Sequence, residues 1–199
     1  MNGISLNKVE RLSKTKGIKG WFSLVCLLAI MCFDQFVLEI PFMNIAFPIL
    51  AVCAACMSPI KNIVLILAYS LIFELSCIAW MPMELPRVQL WLLEVVIGYS
   101  MPLICYKALN GSHKNISVFS YAAIASLGEL MYFWVSVIAT VVIWKVPFGA
   151  YILSDIPYEA IGAVATFVCA IPVAGVYKIM SGELVLGKRK TADACVIKL

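Results

Sequence analysis

The chain has 199 residues, 63% of them hydrophobic and 13% charged, with a formal net charge of +4 and a mean hydropathy of +1.00. A soluble globule carries charge on about a quarter of its residues, so these values exclude one and describe a small polytopic membrane protein. No room is left for a soluble catalytic domain.

Residues 1–20 form a basic segment that includes "NKVERLSKTKGIKG". A membrane-spanning helix needs about 20 predominantly apolar residues, and six such stretches follow. The first, Trp21–Leu38, has the basic flank and apolar core of a signal peptide but no A-x-A cleavage site, and is read as a retained helix. The second, Phe42–Met57, is short, contains Pro48 and is joined to the first by "EIP", so a helical hairpin or re-entrant pair is an alternative there. The third is Asn62–Met81 and the fourth Val88–Tyr106, with Pro102 near its end. The fifth, Val118–Trp144, is long enough to tilt. The sixth, Tyr158–Tyr177, contains Pro172 and opens on the acidic doorway Asp155, Pro157 and Glu159. The expected architecture is an all-α membrane protein: a six-helix transmembrane domain over 21–178, with basic segments 1–20 and 179–199 at its ends.

Lys and Arg set the orientation. With six crossings, thirteen of them (Lys8, Arg11, Lys14, Lys16, Lys19, Lys61, Lys107, Lys114, Lys178, Lys188, Arg189, Lys190 and Lys198) share the side of both termini. Only Arg87 and Lys145 lie on the other. Both termini are therefore expected to be cytoplasmic in a multi-pass protein of the cell membrane. The positive charge reports topology and lipid headgroups, and no nucleic-acid partner is expected. The sequons at Asn110 and Asn115 would then be cytoplasmic and silent.

That topology gives each acid a depth. Glu74 lies seven residues before Met81 and Glu94 six after Val88, so both sit on the order of 10 Å below the outer edge. Asp34 and Glu159 are near outer ends, Glu39, Glu84 and Asp155 fall in outer loops, and only Glu129 is deep. Ionisable groups at membrane depth face a protein interior or a watery cavity. Helical spacing groups Ser70, Glu74, Cys77 and Met81 on one stripe, and Arg87, Trp91, Glu94 and Gly98 on a second. Ser126, Glu129, Phe133, Ser136 and Thr140 share a third, and Glu159, Gly162, Thr166 and Cys169 a fourth. A structural reading is open for each acid: Glu94 could pair with Arg87 at the rim, and Glu74 could be a protonated, hydrogen-bonded group of a bundle. The aromatics near them include Trp80, Trp91, Tyr99, Tyr132, Tyr151 and Tyr158. An interfacial belt accounts for some. A cage of Trp80, Trp91, Tyr151 and Tyr158 beside carboxylates would suit a flat, cationic ligand.

Eight cysteines are present, and Cys26, Cys32, Cys53, Cys56, Cys105 and Cys169 lie in apolar runs, where a thiol packs as a small hydrophobe. Cys53-x-x-Cys56 has metal or redox spacing without further ligands nearby, so no metal site is assigned. The single histidine, His113, is in a short polar loop. No metalloprotease or hydrolase motif occurs, and no enzymatic activity or cofactor is expected. "GELVLGK", Gly182 to Lys188, imitates a phosphate-binding loop, but Arg189 stands where Ser or Thr would meet magnesium and no strand precedes it.

The stretch "LSDIPYEAIGAVATFVCAIPVAGVYKIM" is similar to the last helix of several substrate-binding S components of energy-coupling factor (ECF) vitamin transporters: an acidic-Pro-aromatic entrance, a small-residue helix and a basic end. The six-helix architecture with both termini inside also resembles that family across the whole chain. The resemblance implies capture of a vitamin-like small solute in an outward-facing pocket. It also implies docking on a transmembrane coupling subunit driven by two cytoplasmic ATPase subunits. It implies that the outer loops Glu39–Pro41, Pro82–Arg87 and Lys145–Pro157 help close the pocket, with Glu84, Tyr151, Asp155 and Glu159 near the ligand. The small-residue pair Ala51-x-x-x-Ala55 lies in the second span, whereas the family carries such a pair in the first. "MNGIS" lacks the Met-His start of metal-ion members. The expected substrate-binding residues are Glu74, Trp80, Glu84, Trp91, Glu94, Tyr151, Asp155, Tyr158 and Glu159. The competing expectation is a proton-coupled secondary transporter relaying through Glu74, Glu94 and Glu129.

Overall fold

The structure is a computed structural model that describes residues 21–38, 44–80, 85–110 and 116–181. These residues form six helices and no strand: α1 (Trp21–Leu38), α2 (Ala46–Cys56), α3 (Pro59–Trp80), α4 (Leu85–Asn110), α5 (Val118–Trp144) and α6 (Phe148–Met180). All but α2 are long and apolar enough to cross a membrane. The chain is an all-α helical membrane protein.

At 1.5 Å per residue the 11 residues of α2 span about 16 Å, roughly half of a bilayer core. Within the expected second span, Phe42–Met57, the helix begins at Ala46, after the non-helical Asn44 and Ile45. Asn44 explains the late start: its Oδ1 accepts a hydrogen bond from the Ala46 N–H (3.0 Å), satisfying one of the donors a helix leaves unpaired at its beginning. Asp34 of α1 supplies a second acceptor there, its Oδ2 taking the Ile45 N–H at 2.9 Å. Around Asp34 the last turns of α1, Asp34–Leu38, widen into a π-helix, a departure that often marks a functional position. At its other end α2 is held by Asn62 of α3, whose Nδ2 donates to the Cys53 and Met57 carbonyls at 3.1 and 3.4 Å.

Ala46, Phe47, Pro48, Ile49, Leu50, Ala51 and Cys53 of α2 are all buried. A helix buried on nearly every side belongs at the centre of a bundle. Accordingly α3, α4, α5 and α6 pack successively side by side, and α2 touches all four. α1 buries a single stripe, Leu24, Met31 and Asp34, and exposes Phe22, Val25, Ile30, Phe33 and Val37. Asp34 is within electrostatic reach of Tyr69 on α3 and Cys169 on α6. Apolar faces left outward, such as Ile63, Leu67, Leu71 and Leu75 on α3, are what a lipid-facing surface requires.

α6 corrects the expected boundaries. Its 33 residues extend about 50 Å and begin at Phe148, ten residues before the expected start at Tyr158. The link from α5 is only Lys145–Pro147, with Lys145 in the left-handed conformation (φ 55°) that ends α5. Tyr151, Asp155 and Pro157 are thus helical, not loop residues. Pro157, expected in the doorway ahead of the span, is exposed within α6, and a proline can sit inside a membrane helix when the freed carbonyl finds other partners. Of the expected loop Pro82–Arg87, residues 85–87 form the first turn of α4, and Asn110 of the first sequon is its last residue. The loop Glu39–Pro41, residues 82–84, Asn115, His113 and the terminal segments lie outside the described residues.

Candidate solute-binding site

The polar stripes read from helical spacing converge inside the bundle. On α3, Ser70 is fully buried and Glu74 is 2% exposed. The Ser70 hydroxyl and both carboxyl oxygens of Glu74 have no hydrogen-bond partner. On α4, Glu94 is buried, lies in hydrogen-bonding reach of Ser136 on α5, and is near enough to Glu74 for their charges to interact. Trp91, one turn away, is half-buried against the core.

α5 forms the longest polar wall. Ser126 donates to the Ala163 carbonyl of α6 at 2.8 Å. Glu129 comes next. Its Oε1 lies over Gly162, where a Cβ would come within 3.0 Å of it. Its carboxyl also lies beside Thr166, short of a well-formed bond: Glu129 Oε2 and the fully buried Thr166 hydroxyl both remain without a partner. Ser136 then meets Glu94, and Thr140 meets Tyr151 of α6. Asp155 is in hydrogen-bonding reach of Tyr151, and Glu159 lies within electrostatic reach of both Asp155 and Glu129. The contacts from Ser126, Glu129, Ser136 and Thr140 join neighbouring helices, while Tyr151, Asp155 and Glu159 follow one another at i, i+4 along α6.

Aromatic rings fill the space beside these acids. Tyr99 stacks on Phe47 of α2 with centroids 5.3 Å apart, meets Tyr69 edge-on at 4.8 Å and lies 5.2 Å from Tyr132. Tyr132 fits because α4 carries Gly98 opposite it, where a Cβ would stand 2.0 Å from the ring. Tyr132 feels the charges of both Glu94 and Glu159, and Tyr99 that of Glu129. The side chain of Asn44, at the start of α2, is in hydrogen-bonding reach of Tyr99.

Of the residues expected at the site, Glu74, Glu94, Tyr151, Asp155 and Glu159 are brought into one connected set, and Trp91 packs at its edge. Tyr158 is 58% exposed and turned away. Trp80 closes α3, but its side chain and the whole of Glu84 lie outside the described residues. Sequence reasoning missed Asn44, Phe47 and Tyr69. For Asn44 a signal existed, a helix-capping residue ahead of an apolar run. Phe47 and Tyr69 carried none beyond hydrophobicity. Among the described residues, no three His, Cys, Asp or Glu side chains converge as metal ligands. Lys61, Arg87, Lys107, Lys145 and Lys178 all lie at helix ends, so the interior is acidic and aromatic, a chemistry suited to organic cations.

No known family matches the chain, and neither does any curated protein or solved structure.

Proposed function

We propose that the chain is the membrane-embedded substrate-binding subunit of an ECF-type uptake transporter, capturing a vitamin or vitamin-like solute from outside the cell. The observation that carries this reading is Glu74: a carboxyl group 2% exposed, both oxygens without a partner, beside a second buried acid and a cluster of aromatic rings. Buried polar groups are nearly always satisfied, and an orphaned carboxyl calls for a ligand or an ordered water. A purely structural subunit would leave that group without a role. In this reading the chain is a multi-pass protein of the cell membrane with both termini cytoplasmic. The transmembrane coupling subunit and the two ATPases are other chains. The ligand is an amine-bearing or cationic solute, thiamin being the vitamin of that kind.

Purified chain without ATP should bind such a solute saturably, and affinity purification from the native membrane should carry the coupling subunit and ATPases with it. Absence of saturable binding across a broad vitamin panel would defeat the reading.

Glu129 favours a second reading, a proton-coupled secondary transporter. It sits midway along α5, with Glu159 and Asp155 leading away from it along α6. In vesicles containing this chain alone, that reading requires uptake driven by an imposed pH gradient and abolished by Glu129→Gln. The binding-subunit reading requires no such uptake.

A further inference from the structure

We infer that the site takes a linear organic dication, gripping one ammonium group between Glu74 and Glu94 and the other between Glu129 and Glu159. This inference rests on the solute-binding reading and names the class of solute.

The four carboxyl groups fall into two pairs. Glu74 and Glu94 belong to α3 and α4, interact with each other, and are tied to α5 through Ser136. Glu129 on α5 and Glu159 on α6 interact with each other, Glu159 also with Asp155 one turn before it, and Glu129 lies against Gly162 and Thr166 of α6. The α5 anchors of the two pairs, Ser136 and Glu129, are seven residues apart, which is two turns and roughly 10 Å along one helical face. Between them on that face lies Tyr132, within electrostatic reach of one acid from each pair, Glu94 and Glu159. The rings of Tyr132, Tyr99 and Phe47 thus form an apolar wall between two acidic ends. An alkyl chain suits the wall, and an ammonium group suits each end.

The cluster does not stand on its acids alone. Ser70 and Thr166 are fully buried with unpartnered hydroxyls, one beside the first pair on α3 and one beside the second on α6. Each can accept a hydrogen bond from an ammonium N–H. Crowded carboxylates in an apolar interior repel one another and lose hydration. A dication supplies both ends at once, whereas a monocation leaves one pair without its counter-charge. The dicarboxylate vitamins and other anions are disfavoured on the same ground.

The test is equilibrium binding to the purified full chain in lipid nanodiscs, with putrescine, cadaverine, hexamethylenediamine, n-hexylamine and thiamin as probes. The diamine whose length fits should bind about tenfold or more tightly than n-hexylamine, the increment of one additional desolvated charge contact. Glu129→Gln and Glu94→Gln should each lower the affinity of that diamine about tenfold, towards the level at which wild type binds n-hexylamine. The wild-type length series needs no variant to fold, so it decides the matter if either substitution disrupts the bundle. If thiamin or n-hexylamine binds saturably and no diamine binds more tightly, the two-point inference is overturned and the solute-binding reading survives. If no solute in this or the vitamin panel binds, both are overturned.

Discussion

Gly98 sets how closely α4 can approach Tyr132 of α5. A methyl group there would stand 2.0 Å from the Tyr132 ring and would push it off its contacts with Tyr99 and Phe47. Overpacking of this kind costs about 1–3 kcal/mol, so Gly98→Ala should lower the thermal midpoint in detergent and weaken solute binding together. Gly175→Ala is the control: nothing lies within 4 Å of its added methyl, and its effect should stay within about 0.5 kcal/mol. Asn62 is a second sensitive position, because its Nδ2 donates to the Cys53 and Met57 carbonyls at the end of α2, the first of which also accepts the Met57 N–H. Asn62→Ala removes both side-chain bonds, leaves the Met57 carbonyl without this donor and should cost about 1–3 kcal/mol, read as a lower thermal midpoint. At this scale the sequence was informative about which acids are interior, because an acid inside an apolar run has few other places to go. Partners were not legible: that Glu94 turns to Ser136 and Glu129 to Gly162 depends on how helices rotate against one another, which spacing on a single helix does not fix.

Helix boundaries were legible where composition changes abruptly. Val118–Trp144 is found as expected, with Ser117 capping it by accepting the Ser120 N–H at 3.0 Å. They were illegible at Pro157, which stands before the expected sixth span but lies inside α6; Pro172 and Pro48 lie within α6 and α2, inside the spans expected to hold them. Tertiary packing overrides the usual penalty in such places. The ten residues that α6 adds before Tyr158 make a direct test. Single cysteines placed from 148 to 157 and labelled with a water-soluble maleimide should report helical periodicity: high reactivity at Leu153 and Ser154, low at Tyr151, Ile152 and Asp155. Uniform reactivity would mean a loop, as the sequence alone suggests. At the start of α2, Asp34→Ala removes the acceptor for the Ile45 N–H and should lower stability by about 1 kcal/mol, with Asp34→Asn, which keeps an acceptor oxygen, closer to wild type.

For the whole molecule, the architecture joins a rigid centre to an unsatisfied interior. The short α2 is packed on every side and tied at both ends, by Asn44 and Asp34 at its start and by Asn62 at its end. Around it α3, α4, α5 and α6 present acids and hydroxyls from four different helices to one region. Such convergence follows from each helix having one polar stripe and a bundle having one inside. That much was written in the helical spacing. The identity of the solute was not, because specificity depends on distances between stripes. With six crossings, the excess of Lys and Arg on one side puts both termini in the cytoplasm, as the proposed function has it; if the half-length α2 makes no crossing, the five remaining helices put the termini on opposite sides. Reporter fusions at the C-terminus should be active only as cytoplasmic reporters. The most direct measurement of the central claim is equilibrium binding of a panel of organic solutes, cationic, neutral and anionic, to purified wild-type chain and to Glu74→Gln without ATP. The account predicts saturable binding of a cationic solute to wild type and its loss in Glu74→Gln at an unchanged thermal midpoint; absence of saturable binding, or binding indifferent to Glu74→Gln, would contradict it.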